Sequence, residues 1–205
     1  MRAVIFDMDG VLVDSEPFWV EAELEVLGGL GVPLTPALCA TTTGMRLDAV
    51  VEHWLARHPW TGRSVSEVQQ DITRGVADRI RAFGEALPGM EDAVRVVREG
   101  GLAHAIATSS PHAVIDAVVE RLGLHDFPVC SAMDEAAGKP DPAVYLTAAR
   151  RIGVDPAACV AIEDSAPGVA SARAAGMFVV AVQPVPGADV VVPTPELAAW
   201  LADRP

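Results

Sequence analysis

Two aspartates, Asp7 and Asp9, flank Met8 at the end of the apolar run Ala3 to Phe6, and Gly10 follows at once. A strand that ends on two like charges either exits into acidic loop decoration or holds two carboxylates together for chemistry. Other reactive groups stand at comparable places. Thr108, Ser109 and Ser110 close the apolar run that starts at Leu102, Lys139 sits in "GKPDP", and Glu163 and Asp164 close "CVAIED". Taken singly, the acids read equally well as helix N-caps or solvated loop residues, and Lys139 as a surface charge. Ligands of open parallel sheets bind at the carboxyl ends of the strands. Together, then, these residues bring one lysine, a hydroxyl cluster and four carboxylates to one edge. Asp7, Glu163 and Asp164 would repel one another in a partly dry cleft. A divalent cation removes that repulsion, and hard oxygen ligands without His or Cys favour Mg2+. Thr108 and the N–H groups opening the helix at Pro111 suit phosphate oxygens, with Lys139 as the positive charge beside them. The set points to phosphoryl transfer, where positioning and charge neutralisation dominate.

The elements that must position these residues follow from periodicity. Residues 17–30 read as an acidic helix stopped by "GGLGVP". Leu47, Val50, Val51, Trp54 and Leu55 have helix spacing, as do Val65, Val68, Ile72, Val76, Ile80 and Phe83. Residues 15–85 therefore read as all-helical. At "LPGM", Pro88 is placed to open another helix. Beyond it strand and helix alternate: 102–108 strand, 111–122 helix, "PVCSA" strand, 142–152 helix, "CVAIED" strand, a helix ended by "AAG", then "MFVVAV" and "DVVV" as strands. Such alternation predicts an α/β fold, a Rossmann-like parallel sheet joined by the N-terminal strand. The chain divides into a discontinuous core, 1–14 and 86–205, and an inserted helical cap, 15–85. The connections near 13–16 and 83–88 are the expected hinges.

Bulk composition narrows the field. The chain has 205 residues, 51% hydrophobic, with a formal net charge of -13. A surface this acidic repels phosphate backbones, which excludes nucleic-acid binding through a basic face. Cys39, Cys130 and Cys159 are scattered without metal spacing and read as buried small hydrophobes in a reducing compartment. The start of the chain runs directly into a strand pattern rather than a signal peptide, and no apolar run approaches the ~20 residues of a membrane span. A soluble, cytoplasmic monomer without membrane or nucleic-acid partners is expected.

"FDMDGVLVDSE", the strand into "TSS", "GKPDPAVYL" and "IEDSAPGVASARAAGM" resemble, in order, the four motifs of the haloacid dehalogenase superfamily. The helical insert resembles that superfamily's C1-type cap. "DSEPFW", "GMRLDAVVEHWLARHPW" and "LPGM" are similar to the sugar-phosphate phosphatases of the 2-deoxyglucose-6-phosphate and hexitol type, with β-phosphoglucomutase as a neighbour. The resemblance implies that Asp7 is a nucleophile forming an aspartyl phosphate and that Asp9 is the general acid, then the base. Thr108 and Lys139 would hold the phosphoryl group, with Gly10, Ser109 and Ser110 around it. It implies Mg2+, with Mn2+ or Co2+ able to substitute, on Asp7, the Asp9 carbonyl and Asp164, and Glu163 on a metal-bound water. The substrate would be a small phosphorylated hexose, deoxyhexose or hexitol.

Several departures bear on the alternatives. Dehalogenases of the superfamily lack the second aspartate of the first motif, and phosphonatases need a cap lysine, whereas 15–85 contains none. Trp19 stands where the mutase has a histidine, and Thr43-Gly44 where it has a lysine before the glycine of the specificity loop. These differences favour hydrolysis over isomerisation. A non-catalytic binding module predicts lost catalytic positions, and all are filled. Gly44 and Arg46 of the cap loop are candidate substrate contacts, with a surface arginine at a helix start as the alternative for Arg46. Trp19, Trp54 and Trp60 read as cap core before cavity lining, and His112 as either a substrate contact or solvent-facing.

Overall fold

The computed structural model of the protein describes residues 1–204. Strand β1 (Ala3–Phe6) is buried along its whole length. Successive strand side chains point to opposite faces, so Ala3 and Ile5 enter one apolar cluster and Val4 and Phe6 the other. That two-sided burial is why β1 reads as an unbroken apolar run rather than an alternating one. It lies in the middle of the sheet, parallel to β2 (Ala103–Thr108) on one side and β4 (Cys159–Glu163) on the other. With β3 (Val129–Ser131), β5 (Phe178–Ala181) and the two-residue β6 (Val190–Val191), the order is β3-β2-β1-β4-β5-β6, parallel throughout. Strand order reverses between β1 and β4, and a crevice opens at the carboxyl ends of the strands at such a switch point.

Between β1 and β2 the chain makes helices α1 (Glu16–Gly29), α2 (Pro36–Cys39), α3 (Leu47–Arg57) and α4 (Val65–Phe83), with no named strand among the described residues. Helix α4 starts on a capping box in which Ser64 and Glu67 satisfy each other's backbone N–H groups. Its stripe Val68, Ile72, Val76 and Ile80 is buried, and the helix packs on α1 and on α6 (His112–Leu122) of the α/β part. The two crossings into this insert run antiparallel: Val13 bridges Ala86, Asp14 N–H donates to Glu85 O (3.2 Å) and Leu87 N–H to Leu12 O (3.2 Å).

The remaining helices cover the sheet. Helix α5 (Met90–Glu99), α6 and α9 (Thr194–Ala202) share the cluster of Val4 and Phe6, while α7 (Ala143–Arg151) and α8 (Ala166–Ala174) share that of Ala3 and Ile5. The parallel α/β architecture matches the sequence reading. Two details differ: α5 begins at Met90, two residues beyond Pro88, because Gly89 takes a left-handed N-cap at φ 84°, and neither α2 nor α9 was expected. The three cysteines are free and buried. No helix among the described residues is long and apolar enough to cross a membrane.

Candidate active site

Parallel pairing sets the first distances. Phe6 sits level with Ile106 and Ile162, so the next residues, Asp7, Ala107 and Glu163, emerge side by side at the sheet edge. Asp7 N–H still donates to Ile162 O (2.9 Å), holding its side chain at the strand end. Lys139, the one lysine in the sequence, reaches this point from the loop before α7. Its ammonium donates to Asp7 Oδ1 (2.8 Å), Glu163 Oε1 (2.6 Å) and Ala107 O (3.1 Å), which occupies all three of its protons. All three charged side chains are buried. Burial alone would lower the ammonium's pKa, and the two carboxylates override it, so the lysine is held above its ordinary range. Glu163 has a full set of donors: Tyr145 OH on Oε1 (2.7 Å), and Asp164 N–H (3.1 Å), Ser165 N–H (3.3 Å) and Ser165 Oγ (3.1 Å) on Oε2.

Asp9 stands in different company. Its Oδ1 accepts from Ser15 Oγ (2.5 Å) and Trp19 Nε1 (3.0 Å), and its Oδ2 from Ser110 Oγ (2.6 Å) and, at 3.4 Å, Thr108 Oγ1. Hydroxyls from the β2 end and donors from the insert thus meet on one carboxylate. Ser110 N–H donates in turn to Thr108 Oγ1 (3.0 Å), and Ser131 Oγ to Ser110 O (2.7 Å), fixing the turn that follows β2.

Asp7, Glu163 and Asp164 each offer an oxygen, and the three lie within 4.8 Å of one another. Burial, then the neighbouring Glu163 charge, pushes Asp164 up to about 7, against the pull of Lys139. Asp7 is likewise raised well above the carboxylate range, by burial first, with Lys139 opposing. Repulsion inside a buried all-oxygen donor set is what a hard divalent cation relieves. Gly10 contributes room: at φ 74°, its missing Cβ would fall on the Asp164 carboxylate. The residues present therefore fit Mg2+.

A cavity joins this edge to the insert. Asp7, Asp9, Thr108, Ser109, Ser110, Lys139 and Asp164 line it from the α/β side, and Gly44 lines it from the insert. Gly44 (φ 80°) lies so close to Ser165 that a Cβ would press on that side chain at 3.2 Å. Its carbonyl accepts from Ser109 Oγ (3.4 Å).

Other candidates land elsewhere. Arg46 lies outside the lining. Its guanidinium pairs with Asp48 and donates to Ala132 O (3.1 Å) and Glu135 O (2.9 Å), tying the insert loop to the segment after β3. Exposed His112 pairs with Asp134 (2.9 Å). Trp54 is buried within the insert, and Trp60 packs at the edge of its apolar cluster. Trp19 departs from the cap-core expectation, since its indole N–H bonds Asp9. Sequence reasoning also passed over Ser15, Tyr145 and Ser165 as braces of the acidic groups, and Glu16, Glu23 and Cys39 as lining of the cavity. A usable signal existed for α1: Glu16, Trp19, Val20 and Glu23 are spaced as one helical stripe.

The sequence and the fold have counterparts in known proteins. A family profile described as haloacid dehalogenase-like hydrolase matches residues 1–176. Hexitol phosphatase B of Escherichia coli K12 is 39% identical over 197 residues, covering 95% of this chain and 84% of that protein. β-Phosphoglucomutase of Bacillus subtilis is 30% identical over 203 residues, covering 94% and 89%. In fold, the crystal structure of β-phosphoglucomutase from Clostridium difficile superposes with a TM-score of 0.86 at 23% identity, covering 96% of this chain and 93% of that one. The profile match over residues 1–176 and the 39% identity to hexitol phosphatase B make the chain a member of the haloacid dehalogenase-like hydrolase family.

Proposed function

We propose that the protein is a Mg2+-dependent phosphomonoester hydrolase for small phosphorylated sugars or polyols, working through an aspartyl phosphate on Asp7. The observation that carries the reading is the contrast between two carboxylates two residues apart. Asp7 is flanked by Lys139 and the acidic cluster, and Asp9 is gripped by hydroxyls and an indole N–H. A carboxylate nucleophile divides one difficult hydrolysis into two easier steps. In the first, Asp7 attacks phosphorus while Asp9 hands a proton to the leaving oxygen. In the second, Asp9 takes a proton from water as that water attacks the aspartyl phosphate, which frees Asp7 and inorganic phosphate.

Thr108, Ser109, Ser110 and the first N–H groups of α6 orient the phosphoryl oxygens. Lys139 offsets the charge of Asp7 and Glu163, and Gly10 keeps the first loop clear of Asp164. Asp7, the Asp9 carbonyl and Asp164 would hold Mg2+, with Glu163, already fully hydrogen-bonded, acting through a water. Bound there, the cation supplies charge neutralisation for the phosphate and the carboxylates. Residues 15–85 act as a cap hinged on the paired crossings at Val13 and Ala86, excluding bulk water when closed.

The similarity to hexitol phosphatase B favours a hexitol phosphate or a related sugar phosphate as substrate. The similarity to a β-phosphoglucomutase brings isomerisation as a second reading. Shifting a phosphoryl group between two hydroxyls of one sugar through an enzyme phosphate passes through a bisphosphate. Among the described lining residues Lys139 is the one cation, and the insert side carries Glu16 and Glu23. A second phosphate is poorly served there, which favours water as acceptor. Phosphate release from a panel of sugar and polyol phosphates tests the reading: release with Mg2+ that EDTA abolishes and excess Mg2+ restores is expected. No release from any of the panel, or release indifferent to EDTA, overturns it. Glucose 6-phosphate accumulating from β-glucose 1-phosphate without matching free phosphate would establish the mutase.

A further inference from the structure

Glu23 is a carboxylate that the chemistry at Asp7 does not use. It lies on α1, is 6% exposed, and lines the cavity from the insert side. Its Oε2 has no hydrogen-bond partner; Trp54 Nε1 is the other such buried side-chain atom among the described residues. Trp54 faces the packed interior of the insert, whereas Glu23 faces the cavity that Asp9 and Lys139 line from the other end. Glu23 follows Trp19, the donor to Asp9, by one turn on the same face, about 6 Å farther along α1 at the helical rise. A bare buried carboxylate oxygen is unfavourable because it has given up water without gaining a partner, and leucine or glutamine at this place would avoid much of that cost. A group that faces a cavity and lacks a protein partner is placed to take one from a ligand.

Resting on the phosphatase reading above, we infer that Glu23 is a specificity-determining residue whose free oxygen bonds a hydroxyl on the substrate's carbon chain, at the end away from the phosphate. The chemistry selects the class. A hydroxyl both donates and accepts, so it suits Glu23 whether charged or neutral. A second phosphate or a carboxylate on the substrate would meet Glu23 and Glu16 with like charge. An aromatic or alkyl leaving group would leave Oε2 unsatisfied. The surroundings hold the side chain ready. The Cys39 thiol lines the cavity with it, and burial keeps that thiol protonated, with a pKa pushed up to about 12. The selected substrate is therefore an uncharged, polyhydroxylated chain carrying one phosphate.

The test compares kcat/KM for sorbitol 6-phosphate with that for p-nitrophenyl phosphate, which has no hydroxyls, in wild type, Glu23→Leu and Glu23→Gln with Mg2+. In Glu23→Leu the ratio of the two is expected to fall at least tenfold, mainly through KM for the hexitol ester. Glu23→Gln, which keeps an acceptor oxygen, should fall less. Should Glu23→Leu fail to fold by near-ultraviolet circular dichroism, Glu23→Gln carries the same comparison, with a fall of at least threefold expected. Wild-type protein that hydrolyses both esters, with a ratio unchanged in the folded variants, overturns the assignment of Glu23 alone, since a merely structural residue would slow both substrates together. Wild-type protein that hydrolyses neither overturns the phosphatase reading and this assignment with it.

Discussion

Asp7 and Asp9 carry the same functional group two positions apart, and their hydrogen-bond partners differ. Asp7 shares a buried lysine with Glu163. Asp9 receives donors from Ser15 and Trp19 on one oxygen and from Ser110 and Thr108 on the other. The indole N–H can only donate, so it orients Asp9 without competing for its proton. Trp19→Phe keeps the ring and removes that bond. One hydrogen bond to a charged group is worth about 1.5 kcal/mol, close to a tenfold rate effect. In steady-state kinetics kcat should fall about tenfold; a kcat equal to wild type would show that Ser15 and the β2 hydroxyls suffice to orient Asp9. The four acids, the hydroxyl cluster and Lys139 were legible in the sequence because parallel topology brings strand ends to one edge. Trp19 was not. Its helix is apolar on the side facing α4 and lines a cavity on the other, and periodicity alone does not separate a lining tryptophan from a packed one.

At the scale of elements, the insert meets the α/β part through more than its two crossings. Arg46 joins its loop to Ala132 O and Glu135 O, Gly44 lies against Ser165, and α4 packs on α6. These contacts seat the lining of α1 over the acids. Arg46 looked from sequence like a substrate contact or a surface charge; its two carbonyl partners lie 86 and 89 residues away, a distance no local pattern reports. Arg46→Ala removes the tether while leaving the cavity lining in place. The expected outcome is a KM raised several-fold, together with faster limited proteolysis at the crossings near Val13 and Ala86. A KM and cleavage rate matching wild type would mean that the helix contacts alone hold the insert closed. The boundaries of β1, α4 and β4 were readable to within about a residue because each has a full stripe or a two-sided apolar run. Short α2 was not, since its four residues offer barely one turn to establish a period; α9, as long as α7 and α8, was passed over.

For the whole molecule, the concentration of acids has a cost in stability that pH should reveal. Burial raises Glu23 from its ordinary 4.5 to about 7 in the folded state, with the neighbouring Cys39 thiol opposing the shift and Glu16 adding to it. A raised carboxyl binds its proton more tightly folded than unfolded. The penalty is therefore absent below pH about 4.5, grows as pH rises toward 7, and is complete above it. Its size is on the order of 3 kcal/mol at most. Glu23→Gln should match wild type in urea unfolding at pH 4 and exceed it at pH 8, in EDTA so that metal does not contribute. Equal stabilities at pH 8 would place Glu23 in a solvated setting. The formal charge of -13 argued, from composition alone, against a basic nucleic-acid-binding face. It gave no warning that one lysine would have to answer several carboxylates, because charge pairing inside a crevice depends on which strands are neighbours.

The measurement that bears most directly on the mechanism is phosphate release from sorbitol 6-phosphate by wild type and Asp7→Asn side by side with Mg2+, the fold of each checked by circular dichroism. Asn keeps the size of Asp7 and removes the nucleophilic charge. Release by wild type and a loss of at least a thousandfold in the folded variant are expected. A folded Asp7→Asn protein that turned over at near wild-type rate would contradict an aspartyl phosphate on Asp7.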